Sequence, residues 1–395
     1  MKNPRLTYCT NVHSLTDLAG WEETLEFYGP AIRARMGWDR LPLGLWFPAS
    51  LLEELSRLPD KGRGRVKSLL ERHNLSTFTC NAFPNGNFHD PVVKTKVYRP
   101  DWTEQIRLDY TVACAHLLAY LLPSGEDGSL STLPLGWRAG WSDAQSRRAA
   151  QLLCDWVAEA RNLASREGKV VRLGLEPEPG CALETAAQVV GFWDRHLRPA
   201  ARSVSLPQED LDAFCGICYD TCHQAVQFED PALVLDRLAA AGIPIVKMQL
   251  SSALEFHPDP ERRSAALRRQ FIEEKFLHQT RVKTPDGIVS FDDLPEALAA
   301  EADWAAPWRV HFHLPVHASA VLDPAWIGTT RDDMLRAYRH ALEKGLCSHF
   351  EVETYTWSVM PPELRPSTRD DLARCLASEL AYIVGETPPG VALNA

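Results

Sequence analysis

Val170-Val-Arg-Leu-Gly-Leu-Glu-Pro-Glu-Pro-Gly180 is a short apolar run that stops at two carboxylates, and a helical pattern follows it to about residue 196. An apolar run of about four to eight residues bounded by Gly and Pro reads as a buried strand. Glu176 precedes Pro177, which biases it toward extended backbone. A carboxylate buried there without a partner costs several kcal/mol, so it calls for a cation or for hydrogen-bond donors. The plainer alternative is that it accepts hydrogen bonds from the N-terminus of the next helix.

The same unit recurs on both sides. Before it come apolar runs at 6–11, 43–47, 76–83 and 129–133; after it come 214–219, 245–250 and 349–354. Helical patterns at about 21–35, 50–72, 102–122, 142–166 and 330–344 fall between them. Ser50, with Glu53 three residues on, is expected to open a single helix over 50–72 through a capping box. Strand then helix, repeated, predicts a parallel sheet with helical crossovers, and eight such units favour a closed (β/α)8 barrel over an open sheet. Residues 251–348 separate the last two runs and hold another strand-like segment, Trp308–Leu314. It is expected to belong to a long insertion after strand seven, at about 252–330, that folds over the barrel mouth. The alternative is that it is itself a barrel strand and an early run is not.

The chain has 395 residues and is 45% hydrophobic, enough for a large core. Barrels of this kind run well past the usual domain size as one unit, so one domain over 1–385 is expected, with a flexible tail at 386–395. A formal net charge of -10 argues against nucleic acid as a partner. The basic cluster at 61–65 reads as a solvated face. Ten cysteines are spread along the chain. Cys215 and Cys218 fall on opposite faces of one predicted strand, which does not suit a shared metal or a redox turn. With Cys222 they read as small buried residues in a reducing compartment. The N-terminal residues carry no signal-type apolar run, and no stretch is apolar enough to span a bilayer. A cytoplasmic protein without membrane insertion is expected.

In a closed barrel, residues just past the strand C-termini meet at one mouth. Here they are Asn11 and His13; Asn81 through His89 and Asp90; Glu176 and Glu178; Asp220 and His223; Gln249; His311, His313 and His317; Glu351 and Glu353. Most are metal-ligand residue types. In Asp220-Thr-Cys-His223 the carboxylate leaves a strand and the imidazole follows on the first helical turn, so both can reach one ion. The bland alternative is an Asp helix cap and a packed His. His311 and His313 alternate along an extended segment and share a face, good spacing for joint coordination. Glu351 and Glu353 share a face likewise, with Glu353 better placed to reach the mouth and Glu351 one layer deeper. Trp46, Phe83 and Trp357 can shape a pocket, with aromatic core as the default. Thr329 or Thr330 reads as the N-cap of the helix at 330–344. No dinucleotide fingerprint, phosphate loop or nucleophile elbow is present.

Leu-Glu176-Pro-Glu-Pro, Asp220-Thr-Cys-His223, Gln249 and Glu353-Thr in successive late strands resemble the xylose isomerase-like TIM-barrel superfamily. Tyr98-Arg-Pro-Asp-Trp102, Cys218-Tyr-Asp-Thr-Cys-His-Gln-Ala225, Gln249-Leu-Ser-Ser252, His311-Phe-His313 and Glu351-Val-Glu-Thr-Tyr-Thr-Trp357 look closest to its EboE metabolite-traffic subfamily. The resemblance implies a divalent ion (Mn, Zn, Mg or Fe) held by Glu176, Asp220 and Glu353, with His223 beside it. Gln249 stands where the superfamily usually has His or Glu, and His311 or His313 can compensate. Glu178 stands where xylose isomerases carry a catalytic lysine, which argues against their route of aldose–ketose isomerisation. It also implies a homodimer or tetramer.

The function expected is a metal-dependent isomerase or epimerase of a small sugar, polyol or related metabolite. Glu176 and Glu353 would move the proton and His223 would orient the substrate, with His89, Glu178 and Trp357 as further substrate contacts. The alternatives are a protein that holds a metabolite without turnover, and a metal-dependent hydrolase of a small phosphoester that also uses His89, His311 and His313.

Overall fold

The structure, a computed structural model, describes residues 3–15 and 17–393, and the side chains among them except those of 59–61. Expectations for the first two residues, the Lys61 side chain and the last two residues lie outside the described residues. Eight parallel strands close into a barrel: β1 (Arg5–Cys9), β2 (Leu41–Trp46), β3 (Leu75–Asn81), β4 (Gly128–Thr132), β5 (Val171–Leu175), β6 (Cys215–Asp220), β7 (Ile245–Leu250) and, last in sequence, β13 (His349–Val352). All eight sequence runs are barrel strands. β2, β6 and β7 are buried at every position, as strands covered on one face by the barrel interior and on the other by helices must be.

The chain between β7 and β13 forms the expected insertion. It builds a second, antiparallel sheet from β8 (Ser252–Phe256), β9 (Thr280–Thr284), β10 (Gly287–Phe291), β11 (Trp308–Leu314) and β12 (Ile327–Thr329), in the order β10-β9-β11-β8-β12. The run at Trp308–Leu314 is therefore a strand of this sheet and not of the barrel. Its core includes Arg268, whose guanidinium lies 4.2 Å from the Trp304 ring and 4.5 Å from that of Trp308. Arg281, fully buried, pairs with Glu184 at 2.7 Å and ties this sheet to the loop after β5.

The helix expected over 50–72 is two helices, Ala49–Ser56 and Pro59–Arg72. The break falls at Leu58 (φ −115°, ψ 60°), because a proline disfavours helical backbone in the residue before it. Ser50 lies inside the first turn and the N-cap is Pro48, so the expected capping box does not form. Capping boxes do open Asp143–Glu167 at Ser142 and Arg369–Glu386 at Thr368. Thr330 caps Arg331–Lys344 in position, but its hydroxyl accepts from the Ala253 N–H instead. Residues 387–393 follow as irregular chain, with Leu393 packed against the core. Among the described residues no helix is long and apolar enough to cross a membrane.

Strand register sets the site's depth. Asp220 on β6 aligns with Gln249 on β7, and Gln249 with Glu351 on β13. Lys247 lies two residues earlier on the face of Gln249, inside the barrel. It pairs with Glu351 at 2.5 Å, and both side chains are 0% exposed. Gly44 on β2 gives this carboxylate its room, since a Cβ there would collide with Glu351.

Candidate metal centre

Three imidazoles converge above the barrel. His223 enters from the first turn after β6, and His311 and His313 hang from β11 of the insertion. Their Nε2 atoms lie 3.1 Å (His223–His311), 3.3 Å (His223–His313) and 3.1 Å (His311–His313) apart. Phe312 between the last two points away and stacks on His278 at 4.6 Å.

The partners of these rings fix where their protons sit. His313 Nδ1 lies 2.8 Å from the Glu353 carbonyl oxygen and His311 Nδ1 lies 2.6 Å from Gln279 Oε1. The Gln279 amide nitrogen is oriented by three acceptors, Tyr98 Oη, Glu178 Oε1 and the Pro179 carbonyl. Both Nδ1 atoms therefore carry the N–H, and both Nε2 atoms present bare lone pairs. Burial holds all three rings neutral: it lowers His223 to about 3, His313 to about 4 and His311 well below its usual value. Two lone pairs facing at 3.1 Å repel, and a cation between them turns that repulsion into coordination. Ligand bonds of about 2.0–2.1 Å would put tetrahedral nitrogens about 3.3 Å apart, close to the observed triangle.

A second grouping lies beside the first. Ligand atoms of Glu176, Asp220 and Glu353 fall within 4.8 Å of one another, and Asp220 also groups with His223 and His313. Two of these carboxylates keep a buried oxygen without a partner. Asp220 Oδ1 accepts the His223 N–H at 2.9 Å, capping its helix, while Oδ2 has no partner. Asp220 thus caps the helix through one oxygen and leaves the other available to a cation. Glu353 Oε1 accepts from Asn11 (2.7 Å) and Asn81 (2.8 Å), and Glu176 Oε2 has no partner. Both polar atoms of Gln249, level with Asp220, are buried and unpartnered. Buried orphans of this kind are rare, and several converging on one point fit a cation. Burial, then repulsion from neighbouring carboxylates (Glu353 and Asp220 on Glu176, Asp220 and Glu351 on Glu353), pushes Glu176 and Glu353 well above the usual carboxylate range. The donor set of imidazole, carboxylate and amide oxygen fits a divalent ion.

The mouth is a cavity of about 490 Å³ of empty space, its open side included. Its floor is this polar cluster with Glu178. Burial raises Glu178 to about 8, although Tyr98 donates to it at 2.7 Å. Its walls are mostly apolar and include Phe83, Phe88, Val93, Phe276 and Tyr355.

Glu176, Glu178, His223, His311, His313 and Glu353 all line this cavity, and Asp220 and Gln249 sit beneath it. Two expected substrate contacts do not line it. His89 is set behind Phe88, its Nε2 2.7 Å from the Asn11 carbonyl and its Nδ1 3.3 Å from Lys275 Nζ. Trp357 points into the body of the protein, where its indole N–H donates to Glu379 at 3.3 Å. Cys222, read from sequence as a packing residue, does lie within 4.8 Å of the His311 and His313 ligand atoms. Sequence reasoning missed Tyr355, whose hydroxyl is 3.2 Å from His311 Nε2, and Gln279, which orients that ring.

Burial raises Glu379 from 4.5 to about 7, against donors from Thr354, Val316 and Trp357. A carboxyl with a raised folded value favours folding while protonated. Its stabilisation is full below 4.5 and is lost as pH rises through about 7. The stability of Glu379→Gln relative to the parent chain is therefore expected to improve by about 3 kcal/mol between about pH 4 and about pH 8. Denaturant melts at both pH values check it. A constant difference would show that Glu379 titrates alike in the folded and unfolded chain.

No protein-family model matches the sequence, and no curated protein does. Solved structures do. IolI protein with a bound zinc atom is 13% identical with a TM-score of 0.50, covering 98% of this chain and 99% of its own. A D-tagatose 3-epimerase-like protein is 13% identical with a TM-score of 0.46, covering 97% and 98%. A fusion of a xylose isomerase-like TIM barrel with 4-hydroxyphenylpyruvate dioxygenase is 14% identical with a TM-score of 0.44, covering 100% of this chain and 46% of its own. The likeness to IolI is one of fold: the chain is a (β/α)8 TIM barrel, and its solved neighbours include xylose isomerase-like barrels.

Proposed function

We propose that the chain is a metal-dependent isomerase or epimerase of a small hydroxy-carbonyl metabolite, the chemistry of sugars and polyols. The observation that carries it is the pair Glu176 and Glu353. They reach one cavity from opposite parts of the barrel, each with a free or weakly held oxygen, beside ligands able to hold a cation. The ion, when bound, would polarise the substrate carbonyl and its neighbouring hydroxyl and so acidify the C–H between them. Glu176, Asp220, Glu353 and Gln249 would hold one such ion, and His223, His311 and His313 a second. Glu176 takes the proton from the acidified carbon and Glu353 returns one. Asn11 and Asn81 fix the Glu353 carboxylate so that its other oxygen faces the cavity. Tyr355 offers its hydroxyl to a substrate oxygen. The zinc in IolI, which shares the fold, is in keeping with this reading. The resemblance to the EboE subfamily stays part of the proposal and rests on its sequence strings.

One observation favours a second reading. Two ligand groupings that share Asp220 are also what a two-metal phosphoester hydrolase needs. Against it, the cavity's one lysine, Lys94, is already bonded to Asp293 at 2.6 Å, leaving little positive charge for a phosphate.

Metal content by mass spectrometry tests the site. His313→Ala is expected to lose the ion of the imidazole grouping and keep the other, whereas Asp220→Asn weakens both. Metal content unchanged in both variants would remove the metal from the proposal. Hydrolysis of a small phosphoester without exchange of substrate C–H protons would move the reading to the hydrolase.

A further inference from the structure

The cavity above the ligand groups is built for an apolar body and not for a ring of hydroxyls. Phe88, Phe276 and Tyr355 form a closed aromatic triad, with ring centroids 5.0 Å (Phe88–Phe276), 4.9 Å (Phe88–Tyr355) and 5.0 Å (Phe276–Tyr355) apart. They come from three separate places: the loop after β3, the insertion and the turn after β13. Tyr355 also lies 4.5 Å from the His313 ring, so the triad adjoins the imidazole site directly. Phe83 and Val93 extend the same apolar wall.

Apart from the Tyr355 hydroxyl, 3.2 Å from His311 Nε2 at the edge of the imidazole site, the polar groups in that wall are already committed. The Tyr98 hydroxyl donates to Glu178 and accepts from Gln279. The Lys94 ammonium donates to Asp293 and to the Glu273 carbonyl. The Asn11 and Asn81 amide nitrogens donate to Glu353, and Asn81 Oδ1 accepts the Phe83 N–H. Among the described residues lining the wall, Asn11 leaves its side-chain Oδ1 buried without a partner. A bare sugar carries several hydroxyls beyond its reacting centre. Each one buried without a partner costs roughly tenfold in affinity.

We infer that the substrate joins a metal-chelating oxygen pair to an aryl or branched alkyl body that seats against Phe88, Phe276 and Tyr355. This rests on the proposed chemistry at the floor for the head group, and on the aromatic triad alone for the body. It narrows the substrate class from polyhydroxylated sugars to hydroxy-carbonyl compounds with an apolar substituent.

The test uses three hydroxamates that share one chelating head, titrated calorimetrically into the zinc-loaded protein. Acetohydroxamate is head only, phenylacetohydroxamate adds an aryl body, and threonohydroxamate adds a polyol body. The aryl compound is expected to bind at least about tenfold tighter than the polyol compound, as burial of a phenyl ring implies. Phe88→Ala, and the milder Phe276→Leu, should cut that preference to about threefold or less while acetohydroxamate binds as before. Equal or tighter binding of threonohydroxamate overturns the inference. If no hydroxamate binds, the reading of the floor has failed, and ligand-observed NMR with benzyl alcohol and erythritol decides the body. Benzyl alcohol binding that is lost in Phe88→Ala supports the apolar class; preferred erythritol binding, or none by either, overturns it.

Discussion

Glu353→Gln is expected to lower turnover by about 10²–10⁴-fold while leaving the protein folded. Glutamine keeps the oxygen that accepts from Asn11 and Asn81, so the side chain stays where it is. It removes the capacity to carry a proton and replaces an anionic ligand by a neutral one, which is why metal content is read beside turnover. The native carboxyl, buried and crowded by Asp220 and Glu351, already leans toward its neutral form, so a neutral replacement costs little stability. Glu176→Gln should behave alike. The measurement is kcat on the best substrate from a panel of hydroxy-ketones, at saturating metal, with metal content determined beside it. Loss of kcat with the ion retained identifies proton transfer. Loss of both makes the glutamate chiefly a ligand, and unchanged kcat in both variants discards the mechanism.

Lys247→Met is expected to destabilise the fold by about 3–5 kcal/mol, far beyond any surface substitution. The reason is Glu351, fully buried and 2.5 Å from the ammonium, which would be left without its cation. Burial alone would lower Lys247, but Glu351 and the nearby thiols outweigh it and hold it above its usual value. The same cation eases the crowding of Glu176 and Glu353 above it. Combining Lys247→Met with Glu351→Gln should recover most of the loss, since a neutral pair leaves no uncompensated charge. Denaturant melts of the two single variants and the double variant supply the cycle. Simple additivity would mean that the two side chains do not act as a pair.

The barrel was legible because its strands are short apolar runs at regular spacing, and all eight were found where the runs lie. Glu176, Asp220 and His223 were legible for a related reason: polar residues that end apolar strands stand out. His311 and His313 were legible through alternation along an extended segment. What the sequence could not supply was contact across the fold. Gln279 orients His311 from elsewhere in the insertion, and no local pattern marks it. The aromatic triad draws one ring from each of three distant segments, so its parts looked like ordinary core. Trp357 sits at a strand end as expected, yet turns toward Glu379. Spacing gives position along the chain but not the rotamer. Lys247 did carry a signal, a charge in the middle of an apolar strand two residues before Gln249. Its partner in the next barrel run, about a hundred residues later, was not evident.

The order in which the chain is made gives the Lys247–Glu351 pair a further meaning. β7 with Lys247 leaves the ribosome first, then the whole insertion, and only then β13 with Glu351 and Glu353. The seven earlier strands by themselves present Lys247 on the interior face with no Glu351 to pair with. The last strand brings in one piece the missing wall, the counter-charge and, just past its end, Glu353. The strand that closes the barrel is thus also the one that neutralises Lys247 and leads into the last of the grouped carboxylates.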